Sequence, residues 1–331
     1  MVNSALESHR APYLKQFRIC FYINKSAQST VTKWLEFVWS RQVERLELRF
    51  LCRSQNRTVV LEDMLGGMRP MKYLRELCWI NMKVSGEDIS LFLRNCPLLR
   101  KLTVISSNLT SDVHVCGQTL MLEYLQLHHC VLSSESSLIN ISAPHLSEVK
   151  IGASPGQLWF KNVPKLVVAT FLHHFAFQVS CITSQLHKLT LSVSYTESIL
   201  ANSFPQMPNL KELIIRDSSL YKHGYLVGVT SMIKACPRLQ KFKFKFLDKF
   251  KDETPEAERC PHQRLEILEF RGSSASNIIQ SMTYICDEFQ KYNTCAPVMS
   301  EAEVQAHRDH LKQLKAKLSN QFRLCFFKVK C

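Results

Sequence analysis

Residues 241–246 read Lys-Phe-Lys-Phe-Lys-Phe, a cation alternating with an aromatic ring three times over. An extended strand of this kind could grip nucleic acid, its lysines on phosphates and its rings stacked on bases. It could equally be one rung of a larger sheet, with the rings as core and only the lysines facing a ligand, because successive strand residues point to opposite faces. Histidines offer a second chemistry. His128–His129 and His173–His174 are adjacent pairs, and alternation along a strand is expected to send their rings to opposite faces, so neither pair chelates. His307 and His310 share a face of an expected helix, yet no Cys or carboxylate partner stands near enough to complete a metal site. The thirteen cysteines are odd in number and contain no CxxC pair, which fits buried thiols in a reducing compartment better than a disulfide scaffold. Cys96 and Cys236 each precede a proline and are expected to fill a small buried turn position.

Catalytic signatures do not emerge. There is no Gly-x-Gly-x-x-Gly, Walker-type loop, nucleophile elbow or His-Glu-x-x-His, and nine glycines in 331 residues leave little material for phosphate-cradling turns. The expectation is a non-enzyme without cofactor or metal. The chain is 46% hydrophobic, with charged residues at an ordinary share, which suits a folded globular protein. The start has no apolar core behind a basic segment and no run reaches about 18 apolar residues, so a cytoplasmic or nuclear protein with no membrane span is expected. Net charge of +14 biases the chain toward acidic partners without naming one.

The elements that must position these residues come from an internal repeat. Pro-x-Leu-x-x-Leu-x-hydrophobic recurs as Pro12/Leu14/Phe17/Ile19, Pro97/Leu99/Leu102/Val104, Pro144/Leu146/Val149/Ile151, Pro208/Leu210/Leu213/Ile215 and Pro237/Leu239/Phe242/Phe244. Without the proline, the pattern places lead residues at 14, 43, 74, 99, 122, 146, 166, 186, 210, 239 and 265. Their spacing of 20 to 31 residues, about 25 on average, is that of leucine-rich repeats. Each Leu-x-x-Leu-x-Leu segment predicts a short strand, and stacking such strands in parallel closes a core that one unit cannot bury alone. The fold class expected is α/β, a leucine-rich-repeat solenoid shaped as a horseshoe. Longer units predict return helices over "STVTKWLEFVWS" behind a Ser29 cap, "SGEDISLFLRN" capped at Ser85, and "YLVGVTSMIKAC". The shortest units leave room only for an extended or 3₁₀ return.

Several stretches together resemble plant F-box proteins with irregular leucine-rich repeats and a C-terminal FBD-type region. They are "LKQFRICFYINKSAQSTVTKWLEFVWSRQVERLEL" at 14–48, "ISLFLRNCPLLRKLTVISSNLTSDVHVCG" at 89–117, "LEYLQLHHC" at 122–130 and "CPHQRLEILEFRGSSASN" at 260–277. The tail "AHRDHLKQLKAKLSNQFRLCFF" at 306–327 is similar to that region's closing helix and strand. Its Leu311, Leu314 and Leu318 share one helical face, with Lys312, Lys315 and Lys317 on others. The resemblance implies a solenoid over 1–250 and, over 251–331, the last repeat plus a small α+β FBD-like cap. It also implies substrate capture for SCF-type ubiquitin ligases. Two departures stand out. No Leu-Pro dipeptide occurs and the repeats begin by residue 14, so the F-box is expected to be absent; a Skp-type adaptor would bind only if an F-box lay upstream. "EFQKYNTCAPVM" stands where a second apolar strand of the FBD region is expected. A split product, a competitor of full-length relatives and an incomplete gene product all remain open.

Positions two, four and six residues after each lead are expected to face out from the strands and line the concave side, where such solenoids hold partners. The partner-binding candidates there are Arg18, Arg45, Arg49, Lys101, Tyr124, Gln126, His128, Lys150, Lys188, Arg216, Lys241, Lys243, Lys245 and Arg271. Cations outnumber anions across the full set, so a protein target with an acidic segment is the natural complement. The alternative from another class is a polyanion, either nucleic acid or acidic lipid and inositol phosphate, met by the same lysines and the basic tail.

Overall fold

The structure, a computed structural model, describes residues 6, 8–9, 13–22, 28–51, 59–60, 69–154, 156–172, 181–193, 204–217, 232–246, 264–265, 267–271 and 323–324. The expected helical stretch over 225–231, His173–His174, His307 and His310, the segment 288–299, and the FBD-like strand and tail beyond 271 lie outside the described residues, except for residues 323–324.

A single turn, repeated, fixes where the strands begin. In Cys96–Leu99, Ala143–Leu146, Val163–Leu166, Met207–Leu210 and Cys236–Leu239 the lead leucine's N–H donates to the carbonyl three residues back at 3.0–3.2 Å, closing a β-turn around the proline. Proline's fixed φ suits the second turn position. The residue before each proline is buried, as expected for Cys96 and Cys236. The residue after the lead then bonds to its counterpart in the neighbouring repeat: Arg75 to Glu44, Arg100 to Arg75, Glu123 to Arg100, Ser147 to Glu123 and Val167 to Ser147.

The chain forms two compact units, Met1–Ile182 and Thr183–Cys331. The first contains β1 (Tyr13–Tyr22), β2 (Gln42–Leu51), β3 (Val59–Val60), β4 (Glu76–Ile80), β5 (Met82–Val84), β6 (Lys101–Ile105), β7 (Asn108–Leu109), β8 (Val113–Cys116), β9 (Tyr124–Leu132), β10 (Leu138–Ser142), β11 (Glu148–Ser154), β12 (Gln157–Phe160) and β13 (Val168–Phe171). Its main sheet runs β1-β2-β4-β6-β9-β11-β13, with the described pairs all parallel. The second unit contains β14 (Lys188–Val193), β15 (Glu212–Asp217), β16 (Lys241–Phe246), β17 (Ile267–Arg271) and β18 (Arg323–Leu324), paired in that order and again parallel.

Register places like on like. Leu46, Leu77, Leu102, Leu125, Val149 and Ala169 form one inner row, and Leu48, Trp79, Val104, Leu127, Ile151 and Phe171 the next, all of them buried. In the second unit Leu189, Leu213 and Phe242 align and are fully buried. The second ring of the Lys-Phe alternation, at Phe244, occupies the register position of Ile215. Each such side chain contributes about 1.5–3 kcal/mol on burial, which only stacked neighbours can realise.

Among the described residues, helices α1 (Gln28–Ser40) and α2 (Gly86–Asn95) cover the inner rows of the first unit. Helix α1 buries Val31, Trp34, Leu35, Val38 and Trp39, at helical spacing. It begins ahead of Ser29, so Ser29 lies inside the helix and is not its cap. Helix α2 begins as expected at Ser85. The Ser85 hydroxyl accepts from the Asp88 N–H at 3.0 Å. In return the Asp88 carboxylate accepts from the Ser85 N–H at 2.7 Å, which closes a capping box. Phe92 of α2 lies edge-on to Trp79 at 5.0 Å and to Trp39 at 6.1 Å. The shorter units return differently: β8, β10 and β12 form a separate parallel three-stranded sheet whose inner residues include Val113, Val115, Ile139, Ile141, Leu158 and Phe160. The extended return expected for short units is thus a hydrogen-bonded layer, because repeats of similar length bring their return segments to ladder spacing.

Candidate functional site on the outward sheet face

The outward positions fall into three rows in each unit. In Met1–Ile182 the first row reads Gln16, Arg45, Glu76, Lys101, Tyr124, Glu148 and Val168. The second reads Arg18, Glu47, Cys78, Thr103, Gln126, Lys150 and Thr170. The third reads Cys20, Arg49, Ile80, Ile105, His128 and Gly152. The candidates Arg18, Arg45, Arg49, Lys101, Tyr124, Gln126, His128 and Lys150 therefore share one face.

Much of its charge is matched across strands. Arg18 pairs with Glu47 at 2.7 Å and Arg45 with Glu76 at 3.1 Å. These two arginines are structural partners of the next repeat before they are ligand contacts, and each half-exposed pair contributes about 0–1 kcal/mol. Lys101 lies over the Tyr124 ring, 5.1 Å from its centroid, a cation–π contact between adjacent strands. The Tyr124 hydroxyl donates to Gln126 Oε1 at 2.6 Å, and burial followed by the Glu148 carboxylate pushes its pKa up. Lys101, Tyr124 and Gln126 thus form a linked set presented by β6 and β9. Among the described residues Arg49 and Lys150 have no carboxylate within ion-pair distance. Thr103 faces outward yet is buried, with its Oγ1 unsatisfied among the described residues.

Beside these, Ile80 and Ile105 stand half-buried in the third row next to His128. Counting leucines does not single them out; reading the sixth residue after each lead, which is isoleucine at both 80 and 105, does. A Cβ at Gly152 would meet Leu172 Cδ1 at 2.9 Å and His128 Nδ1 at 3.2 Å, so the missing side chain is what lets this row close. A neutral, partly apolar strip therefore adjoins the polar second row.

His128 and His129 do not point to opposite faces. His129 has φ 52°, in the left-handed region, and its ring lies 3.9 Å from that of His128. The break in alternation belongs to a stacked corner where Asn81 (φ 60°) and Ser106 (φ 49°) adopt the same conformation. Asn81 N–H donates to the Ile105 carbonyl and Ser106 N–H to that of His128, at 3.0 and 2.8 Å. Below the corner, buried Met82, Ser107 and Cys130 continue inward. Among the described residues no group of three or more His, Cys, Asp and Glu could hold a metal ion. Buried thiols are poorly ionised: Cys96 and Cys236 are pushed up to about 12, and Cys130 to about 11, by desolvation of the charged form. Cys78 is pushed up to about 11 by burial and by the Glu47 carboxylate beside it.

In Thr183–Cys331 the first row reads Lys188, Glu212, Lys241 and Ile267, the second Thr190, Ile214, Lys243 and Glu269, and the third Ser192, Arg216, Lys245 and Arg271. Glu212 sits between two cations, 3.0 Å from Lys188 Nζ and 3.5 Å from Lys241 Nζ. Burial alone would raise its pKa, but the two ammonium groups outweigh it and hold the carboxyl below its ordinary value, since nearby opposite charge favours the ionised form. Thr190 and Ile214 are buried although they face outward. For Lys245, Glu269 and Arg271 the strand positions are described and the side chains lie outside the described residues.

Among the described residues no helix is long and apolar enough to cross a membrane. A family model, At1g61320/AtMIF1, LRR domain, matches residues 64–278, well over half of the chain. No curated protein matches.

Proposed function

The chain belongs to the At1g61320/AtMIF1 leucine-rich-repeat domain family, and from that premise we propose that it is a non-catalytic protein-recognition module whose outward strand face holds a protein target. A leucine-rich-repeat domain suggests protein–protein interaction, and the observation carrying the reading is the register itself. Tyr124, Gln126, Lys101 and Lys150 are brought from three repeats into one surface, next to the half-buried Ile80 and Ile105. An apolar strip with a polar surround is the anatomy of a protein interface rather than of a substrate cleft. In this reading the outward strand face of each unit is the partner-facing side of its stacked repeats.

The finer reading follows the resemblance to plant F-box proteins: the bound protein is a target of an SCF-type ubiquitin ligase, reached through a Skp-type adaptor where an F-box is joined to the repeats. Cytoplasm and nucleus are the proposed locations. A photo-crosslinker placed at Gln126 tests the recognition face. It is expected to capture a protein that excess unlabelled chain displaces and that Tyr124→Ala together with Ile105→Asp abolishes. Capture that is equal from a crosslinker at Lys83, an exposed residue of β5, sinks the assignment of the face. Ubiquitination of the captured protein, dependent on this chain, tests the ligase reading.

A further inference from the structure

The third outward row of the first unit sets a cation beside apolar side chains. In register it reads Cys20, Arg49, Ile80, Ile105, His128 and Gly152. The sheet does not require isoleucine at this position, since Cys, Arg, His and Gly hold it in the other repeats. Ile80 and Ile105 nevertheless stand side by side, half-buried, just before the left-handed corner at Asn81 and Ser106. Arg49, exposed, adjoins Ile80 on one side. Lys150, half-buried in the second row, lies beyond His128 on the other. Among the described residues neither cation has a carboxylate within ion-pair distance, whereas Arg18 and Arg45 are both paired. We infer that Arg49, the Ile80–Ile105 pair and Lys150 determine sequence specificity: they read an extended segment of the protein partner in which an aliphatic residue lies between two acidic ones. The inference rests on the protein-recognition reading.

Strand spacing fixes the pattern. With strands about 4.8 Å apart, Arg49 stands about 7 Å from the midpoint of the isoleucine pair, and Lys150 about 14 Å from it on the far side. Same-side residues of an extended segment repeat every ~6.6 Å. The two distances are therefore about two and four residues, which gives Asp/Glu-x-aliphatic-x-x-x-Asp/Glu, in either chain direction. All three recognised side chains then project from one side of the segment. The Arg49 charge is felt at Cys78 in the second row, so the guanidinium stays over this face. Charge-assisted hydrogen bonds from it to a carboxylate are about twice as strong as neutral ones. A single-stranded nucleic acid is less well served. It carries charge at every nucleotide and binds through rings on which bases stack, whereas this row offers two isoleucines and one ring, His128, already stacked on His129.

The test selects peptides from a displayed random library against the full chain. Enriched sequences are expected to converge on acidic and aliphatic residues at the spacing above. Arg49→Glu is expected to replace the acidic preference nearer the aliphatic residue by Lys or Arg, leaving the aliphatic preference in place. Ile80→Thr/Ile105→Thr is expected to lose the aliphatic preference and keep the acidic ones. A labelled peptide from the wild-type selection should bind Arg49→Gln about tenfold more weakly by fluorescence anisotropy. Lys33→Gln removes the same charge from exposed α1 surface and is expected to stay within about twofold of wild type. Circular dichroism checks the fold of each variant, and if the threonine pair does not fold the Arg49 variants decide alone. No convergence, convergence at another spacing, the same sequences from Arg49→Glu as from wild type, equal binding by Arg49→Gln and Lys33→Gln, or tighter binding of an oligothymidine than of the selected peptide each overturns the inference. If capture from Gln126 persists in such a case, only the sequence preference has failed; if capture is lost too, the protein-recognition reading fails with it.

Discussion

At the scale of single residues, the outward face divides into charged side chains paired across the strands and side chains with no such ion pair among the described residues. Glu212 belongs to the first kind. Its pKa is lowered in the folded state, so its contribution is present above the ordinary carboxyl value and is lost as pH falls through the folded value. Glu212→Gln is therefore expected to cost roughly 0.5 kcal/mol at neutral pH, the scale of a partly exposed cross-strand pair. Denaturant curves of variant and wild type should converge as pH drops below 4.5; a gap that persisted there would show that charge is not its origin. Trp79 belongs wholly to the core. It is fully buried and edge-on to Phe92. Its replacement by alanine should cost about 3–5 kcal/mol, read by the same titration. Thiols sort by burial in the same way. With Cys96, Cys130 and Cys236 buried and their ionisation suppressed, brief alkylation of the native chain should mark exposed Cys20 and Cys181 well before these three, because the thiolate is the reacting species. Peptide mass spectrometry would read the order.

At the scale of elements, the start of α2 concentrates several constraints in a few residues. Ser85→Ala removes the cap and should cost about 1 kcal/mol. Gly86→Ala should cost more, although alanine is the better helix former: its Cβ would overlap the carbonyl oxygen of Asp112, and backbone cannot step aside as a side chain can. Comparing the two variants by chemical denaturation decides whether cap or contact governs this end; a stabilised Gly86→Ala would refute the contact. The alternation rule is enough to read the inner and outer rows of β4, β6 and β9, since Leu-x-Leu spacing and burial share a period of two. The same rule misplaces His129, because alternation fails where the backbone enters the left-handed region, and polar Asn81, Ser106 and His129 mark that corner only weakly in sequence. Return segments are legible as helices where a cap and an amphipathic run coincide, as at Ser85. They are not legible as the β8-β10-β12 sheet, whose strands are four or five residues long and are stabilised by one another.

For the whole molecule, a net charge of +14 predicts weak, salt-sensitive attraction to any polyanion. Retention of the chain on heparin should fall steeply with salt and shift equally for charge-removing substitutions anywhere on exposed surface, whereas binding to the partner, with an apolar strip at its centre, should survive salt that releases heparin. Family membership and the repeat follow from the chain alone, because a leucine row must recur at near-regular spacing before stacked strands can share a core. The identity of the outward residues follows equally from alternation. Whether a given cation on that face is available does not. Arg18 and Arg45 each meet a carboxylate of the following repeat, far along the chain, and so does Lys188. Arg216 lies in register with two further cations. Composition counts all of them alike, and it is the parallel register that decides which charges meet an opposite charge, since cross-strand neighbours are set by the ladder and not by distance along the chain.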